Sequence, residues 1–350
     1  MAEIRRQVEG AAGRITLARP QKLNALSHAM CLEMEAALDA WSHDDDVALV
    51  VIDAEGDRAF CAGGDLRAIH DHLGGGDPGA VRQFWRDEYR LNLKIAEYPK
   101  PVVALIQGYC MGGGVGIGAH ASHRVVCESS CLAMPECAIG LVPDVGGSWL
   151  LAQAPGHLGE FLALTAGRVG PGAAIAAGLA DYYLPQERWR DLMRKLSRGT
   201  VSAVADLAEP PPEASPPSQA PWIDAAFSRR DPGAILAALD EMSGEAGEAP
   251  SRAAAAIRQN APLSMAAALT MIRGQRGGGG GLASALAQEY RFGCRALERP
   301  DLPEGLRARM ARDGTPARWG HGAPTDVAPA EVAAMLASLG EDELRLGKVY

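Results

Sequence analysis

The segment "FCAGGDL", residues 60–66, passes from a bulky hydrophobe through two small residues into adjacent glycines and then an aspartate. A glycine pair where an apolar run turns polar is an ordinary turn signal, but it also lets a ligand approach the backbone with no side chain in the way. A second stretch of the same character, "YCMGGGVGIGAH" (109–120), follows the apolar "PVVALIQG" (101–108), and the first follows "VALVVIDA" (47–54). Two strands thus deliver their C-terminal ends into glycine clusters, and open α/β architectures hold ligands at such ends.

The bulk properties narrow the classes available. With 350 residues and 47% hydrophobic content, the chain has enough apolar material for one large core or two smaller ones. A formal charge of −9 and a pI near 5.4 argue against a nucleic-acid surface, which needs a basic footprint. The start, "MAEIRRQVEG", lacks an apolar signal region and the acid-free character of a transit peptide, so the expected location is the cytoplasm. The uncharged run 101–122 has the length of a membrane span, but its six glycines fit a strand, loop and helix better, and no membrane partner is expected. Seven cysteines with no CxxC pair read as reduced thiols, not a disulfide frame or a zinc site; no metal is expected.

Along the chain, "GRITLARP" (13–20) reads as a strand, "AMCLEMEAALDAW" (29–41) as an amphipathic helix and "VALVVIDA" as a buried strand. After a Gly-rich spacer (74–79), residues 81–96 read as a helix ended by Pro99 and Pro101. "HRVVCES" (123–129) is a further strand, and residues 157–199 read as helices. The proline-rich segment 209–221 is a loop, and the Ala-rich remainder is helical. The expected organisation is an α/β core over 1–200 and a helical C-terminal region over 201–350.

Gly114, Gly116 and Ala119 satisfy the dinucleotide-binding G-x-G-x-x-G/A spacing, but that fingerprint opens the first βαβ unit, whereas this one follows at least two earlier strands. The other reading joins the two clusters. A backbone N–H just after Gly63 and another within 112–114 converge on one oxygen and make an oxyanion hole, which needs access and not side chains. A base must come from elsewhere. "MPECAIGLVPDVGG" (134–147) offers Glu136 and Asp144 in apolar surroundings, where desolvation raises carboxyl pKa values. Both also fit plain helix capping, Asp144 before "VGGSWLLAQ" above all. His120 and His123 read as structural, and Ser148 with His157 lacks a nucleophile elbow.

Together, "FCAGGDLRAI" (60–69), "GYCMGGGVGIGAH" (108–120) and "AMPECAIGLVPDVGG" (133–147) resemble the crotonase (enoyl-CoA hydratase/isomerase) superfamily, and within it the 3-hydroxyisobutyryl-CoA hydrolases. The likeness extends from residue 15 to a tail at 261–319, leaving out only the proline-rich insert. It implies a spiral of ββα units with a helical C-terminal region. It implies acyl-CoA as partner and substrate, with CoA needing no further cofactor, and an oxyanion hole at the amides of Gly64 and Gly113. Glu136 and Asp144 become the catalytic pair and Glu88 an active-site contact. CoA would lie along the backbone of 22–26 and 62–68, with Gly63, Asp65 and Leu66 as contacts and Arg67 as a phosphate partner. Hydratases of the family carry a second glutamate two residues after the glycine triplet; here that position is Gly116. The implied reaction is therefore hydrolysis of 3-hydroxyisobutyryl-CoA or a close 3-hydroxyacyl-CoA, as in valine catabolism. Other crotonase chemistry, such as enoyl- or dienoyl-CoA isomerisation or hydration, and a non-catalytic acyl-CoA-binding or RNA-associated scaffold are the alternatives. The resemblance leaves the tail two options, assembly into trimers or hexamers and folding back over its own core.

Overall fold

The computed structural model describes residues 2–214, 220–242, 247–278, 280–311 and 314–347. Its strands are β1 (Ile4–Glu9), β2 (Ala12–Leu17), β3 (Leu49–Ala54), β4 (Ala59–Cys61), β5 (Val102–Ile106), β6 (Tyr109–Met111), β7 (His123–Val126), β8 (Cys131–Ala133), β9 (Arg168–Val169) and β10 (Tyr182–Tyr183). Two sheets result, one ordered β1-β2-β3-β5-β7-β10 and a smaller one ordered β4-β6-β8-β9. Only the β1–β2 and β8–β9 pairs are antiparallel.

The central strands are apolar without interruption because both faces are covered. Val50, Ile52, Ala104, Ile106 and Val126 join the main core, while Leu49, Val51, Val103, Leu105 and Val125 alternate with them and face the opposite way. That outer face is closed by Leu192, Leu196, Val204 and Leu207 from residues 189–207.

The N-terminal helices are α1 (His28–Ser42), α2 (Leu66–Gly74), α3 (Pro78–Ala96), α4 (Gly113–Gly118), α5 (Gly147–Ala152) and α6 (Leu158–Thr165). Those that follow are α7 (Pro171–Ala176), α8 (Trp189–Leu196), α9 (Ala203–Leu207), α10 (Pro221–Phe227), α11 (Pro232–Met242), α12 (Glu248–Gln259), α13 (Pro262–Arg276), α14 (Gly281–Ala296), α15 (Asp301–Met310) and α16 (Pro329–Leu336). Ser27 caps α1 by accepting from Met30 N, and the helix then buries Met30, Met34, Leu38 and Trp41 at helical spacing. Asp77 caps α3 in the same way, with Pro78 in its first turn. On α3 the buried positions Trp85, Glu88, Tyr89 and Asn92 share one face, so two polar side chains and a tyrosine enter the interior beside a tryptophan.

The ββα units are β3-β4-α2, β5-β6-α4 and β7-β8-α5, and the crotonase spiral expected from the resemblance is present. One element of the sequence reading is corrected. The long apolar strands stop at Ala54 and Ile106, and the glycine clusters hang instead from β4 and β6 of the second sheet. Helix α2 also fills the stretch between the glycine turn and the Gly-rich spacer, where the sequence reading gives no element, starting on Asp65 as its cap. The proline-rich loop pairs Glu209 N with Tyr183 O, and residues 215–219 of it lie outside the described residues. The C-terminal helices fold over their own core: Ile257, Leu269, Tyr290 and Leu302 belong to the same apolar cluster as Ile52 and Phe60. All seven cysteines are unpaired, and among the described residues no helix is long and apolar enough to cross a membrane.

Candidate active site

Three parallel three-residue strands set the site. From β4 the chain runs into Gly63 and Gly64, from β6 into Gly112 and Gly113, and from β8 into Pro135 and Glu136. Gly112 N–H donates to Ala133 O at 3.2 Å and ties the second to the third. The N–H groups of Gly64 and Gly113 donate to no backbone carbonyl among the described residues. They are neighbours: a Cβ at Gly113 would stand 3.3 Å from Gly64 N and 2.6 Å from Glu88 Oε1. A Cβ at Gly112 would stand 2.5 Å from Glu136 Oε1. Side chains at these positions would fill the place where two free amides and two carboxyl groups meet. Two neighbouring amides without a backbone acceptor are what an oxyanion hole requires.

The cavity at this point is lined by Gly63, Gly64, Leu66, Ile69, Phe84, Trp85, Glu88, Met111, Gly112, Gly113, Glu136, Ile139, Leu141 and Asp144. Three acids therefore share an otherwise apolar space. Glu88 and Glu136 are buried, and Glu88 Oε1 and Glu136 Oε2 have no hydrogen-bond partner among the described residues. Burial, and after it the charge of Asp144, holds both well above the usual carboxylate range. Asp144 keeps part of its surface open to the cavity and sits at about 6, raised by burial and pulled back by the Tyr89 hydroxyl. That hydroxyl donates to Asp144 Oδ2 at 2.8 Å.

The turn after Asp144 is built against strain. Val145 has φ +52°, a left-handed conformation that a β-branched residue adopts only when held there, and Gly146 follows at φ +82°. His120 Nε2 lies 2.7 Å from Val145 O, and burial lowers this histidine to about 4, so the neutral ring donates. Glu289, fully buried on α14, accepts from Gly146 N at 2.7 Å, from Ser148 N at 3.0 Å and from the Ser148 hydroxyl. Burial pushes Glu289 up to about 8 while these donors pull the other way. The sequence offers Asp144 as cap of the next helix, but α5 starts at Gly147 with Glu289 over its first amides. Asp144 is free for the cavity.

Gly116 owes its size to the same turn. A Cβ there would stand 2.7 Å from Val145 Cβ and 2.8 Å from Asn92 Nδ2, so the second glutamate of the hydratase pattern has no room. The glycines matching a dinucleotide fingerprint have a packing role instead, since a Cβ at Gly114 would meet Cys61 O at 2.3 Å.

Of the residues expected from the sequence, Gly63, Gly64, Leu66, Glu88, Gly113, Glu136 and Asp144 line the cavity, and Asp65 and Arg67 do not. Asp65 accepts from Ala68 N and pairs with Arg19 at 2.9 Å and Lys22 at 3.5 Å; Arg67 is exposed. The two segments expected to follow CoA run side by side, with Ala62 N donating to Leu23 O, Leu26 N to Gly63 O and Asp65 N to Leu26 O. Ser148 and His157 are separately engaged, the first with Glu289 and the second with Glu160. Tyr89, Val145 and Glu289 are additions. The available signal for Glu289 is a charge on the apolar stripe Leu286, Tyr290, Gly293 of α14.

The three strands thus bring two free amides and three acids to one largely apolar cavity. A family model for enoyl-CoA hydratase/isomerase matches residues 12–336, and the chain belongs to that family. It is 34% identical over 96% of its length to a 3-hydroxyisobutyryl-CoA hydrolase, mitochondrial, of Xenopus tropicalis, covering 89% of that protein. Among solved structures it is similar to an enoyl-CoA hydratase from Rhodobacter sphaeroides, with TM-score 0.92 and 47% identity, over 98% of this chain and all of that one. A carnitinyl-CoA dehydratase from Mycobacterium thermoresistibile gives TM-score 0.93 and 38% identity over 99% of this chain and all of that one.

Proposed function

We propose that this chain hydrolyses 3-hydroxyisobutyryl-CoA, or a close 3-hydroxyacyl-CoA, to the free acid and CoA. The observation that carries the reading is Glu136: its Oε2 is unpartnered and it lines the same cavity as the two free amides, while the position of the hydratase's second acid is closed by Val145 and Asn92. The hydrolase relative supports it; the hydratase and dehydratase names of the two structural neighbours denote chemistry that this closed position does not favour.

The thioester oxygen accepts from Gly64 N–H and Gly113 N–H. The Glu136 carboxylate then attacks the carbonyl carbon, the C–S bond breaks, CoA leaves as its thiolate, and water adds to the acyl carbon of the mixed anhydride, which frees the acid, regenerates the Glu136 carboxylate and supplies the proton that the thiolate takes up. In the other route Glu136 takes a proton from water, which attacks directly. Either route places negative charge on the same oxygen, where one lost donor costs roughly 3–4 kcal/mol of barrier. A carboxylate raised by burial is a stronger base and nucleophile than one in water. Asp144, set by Tyr89, accepts from the substrate's 3-hydroxyl.

Neither route requires a metal or redox cofactor. A cytoplasmic location is in keeping with seven unpaired thiols, and a trimer or hexamer is the assembly to look for by light scattering. The test of the reaction is thiol release over a panel of acyl-CoAs run beside crotonyl-CoA hydration. The reading expects 3-hydroxyisobutyryl-CoA to lead the panel; hydration as fast as hydrolysis would overturn it.

A further inference from the structure

Glu289 lies 145 positions beyond Asp144, on a helix that contributes no residue to the lining of the cavity. Glu289 is fully buried in α14, and its two oxygens take three hydrogen bonds, all from the turn that follows Asp144. That turn is strained at Val145, and a backbone in a sparsely populated region costs on the order of 1–3 kcal/mol and persists only where its surroundings over-determine it. His120 holds the carbonyl of the Val145–Gly146 peptide, and Glu289 holds the N–H of that same peptide together with that of Ser148. A side chain at Gly146 would strike both His120 Nε2 and Leu282 of α14, so the turn is fitted to these two elements. Without the carboxyl group, Gly146 N–H and Ser148 N–H lose their acceptor in a buried place, and the chain regains them only by leaving the left-handed turn.

We infer that Glu289 is a positioning residue for Asp144: by clamping Gly146 and Ser148 it holds the strained Val145 turn that presents the Asp144 carboxyl group to the substrate's 3-hydroxyl. The C-terminal helical region thereby sets hydroxyl selectivity while touching neither substrate nor reacting atoms. The inference rests on the role given to Asp144 above.

The test reads the ratio of kcat/KM for 3-hydroxyisobutyryl-CoA to that for isobutyryl-CoA, with thermal midpoints, in Glu289→Leu, Glu289→Gln, Asp144→Ala and Glu289→Leu/Asp144→Ala. Leucine removes both acceptor oxygens, whereas glutamine keeps one. The expected result is a ratio at least 10-fold lower in Glu289→Leu, partly restored in Glu289→Gln, and unchanged within threefold when Glu289→Leu is added to Asp144→Ala. Should Glu289→Leu not fold, Ser148→Ala, which removes one donor only, is expected to lower the ratio about threefold. A collapsed ratio in Asp144→Ala with an intact ratio in Glu289→Leu, or in Ser148→Ala where that variant stands in, would overturn the inference alone. An intact ratio in Asp144→Ala would overturn the role of Asp144 and the inference together.

Discussion

The hydroxyl of Tyr89 donates to Asp144 Oδ2 at 2.8 Å, joining a helix of the N-terminal half to the loop that carries the second acid of the site. The bond favours the ionised form of Asp144, against burial, which raises the group to about 6. Glu136 and Asp144 repel one another, so the acid limb of the rate profile belongs to the pair.

Tyr89→Phe removes the donor and leaves the ring packed against Tyr290. Asp144 then holds its proton to higher pH, and the acid limb of kcat/KM for 3-hydroxyisobutyryl-CoA should move upward, with little loss on the plateau. A pH–rate profile of both proteins checks this; an unmoved or lowered limb would separate Tyr89 from the titration.

Asp144→Ala removes the proposed acceptor of the 3-hydroxyl. A hydrogen bond to a charged group is worth about 1.5–3 kcal/mol, so the preference for 3-hydroxyisobutyryl-CoA over isobutyryl-CoA should fall by roughly 10- to 100-fold. Specificity constants for the two thioesters measure it. Equal losses on both would assign selectivity to other residues.

Asp144→Asn carries the stability consequence. A carboxyl raised to about 6 from an ordinary 3.8 contributes stability below 3.8, and that contribution is lost as pH rises through 6. At pH 8 the ionised group is a burden on the fold, so the neutral amide, which still accepts from Tyr89, should raise the thermal midpoint there and lose the advantage near pH 4. Calorimetry at the two pH values decides; a lower midpoint at pH 8 would mean that the carboxylate stabilises the turn.

Gly116→Ala places a methyl group 2.7 Å from Val145 Cβ and should cost about 1–3 kcal/mol through overpacking. Gly116→Glu should accordingly fail to confer crotonyl-CoA hydration. Denaturant midpoints and the loss of enoyl-thioester absorbance test the two parts, and efficient hydration by Gly116→Glu would show that the Val145 turn yields readily.

Much of this is legible in the sequence. Leu49–Ala54 and Val102–Ile106 announce themselves as buried strands because both faces are covered, and Glu136 stands out as an acid after a proline in an apolar run. The small sheet is not legible, since three residues such as Ala59–Cys61 are too few to show a period, and it is this sheet that carries the glycines. Asp144 is equally good as helix cap and as active-site acid until Glu289 is seen over the same helix start. That contact joins residues 143 and 141 positions apart, and no local pattern reports it. Asp65 shows the converse, an acid beside the glycine pair whose partners, Arg19 and Lys22, give it a structural role.

The central claim is that Glu136 cleaves the thioester beside amides that need no help from it to bind CoA. The direct measurement is thiol release from 3-hydroxyisobutyryl-CoA by wild type and Glu136→Gln, with CoA affinity of both proteins by calorimetry. Turnover should fall by about 10²-fold or more, as loss of a catalytic carboxylate requires, while the Kd for CoA stays within about threefold. Substantial hydrolysis by Glu136→Gln, with CoA still bound, would contradict the account.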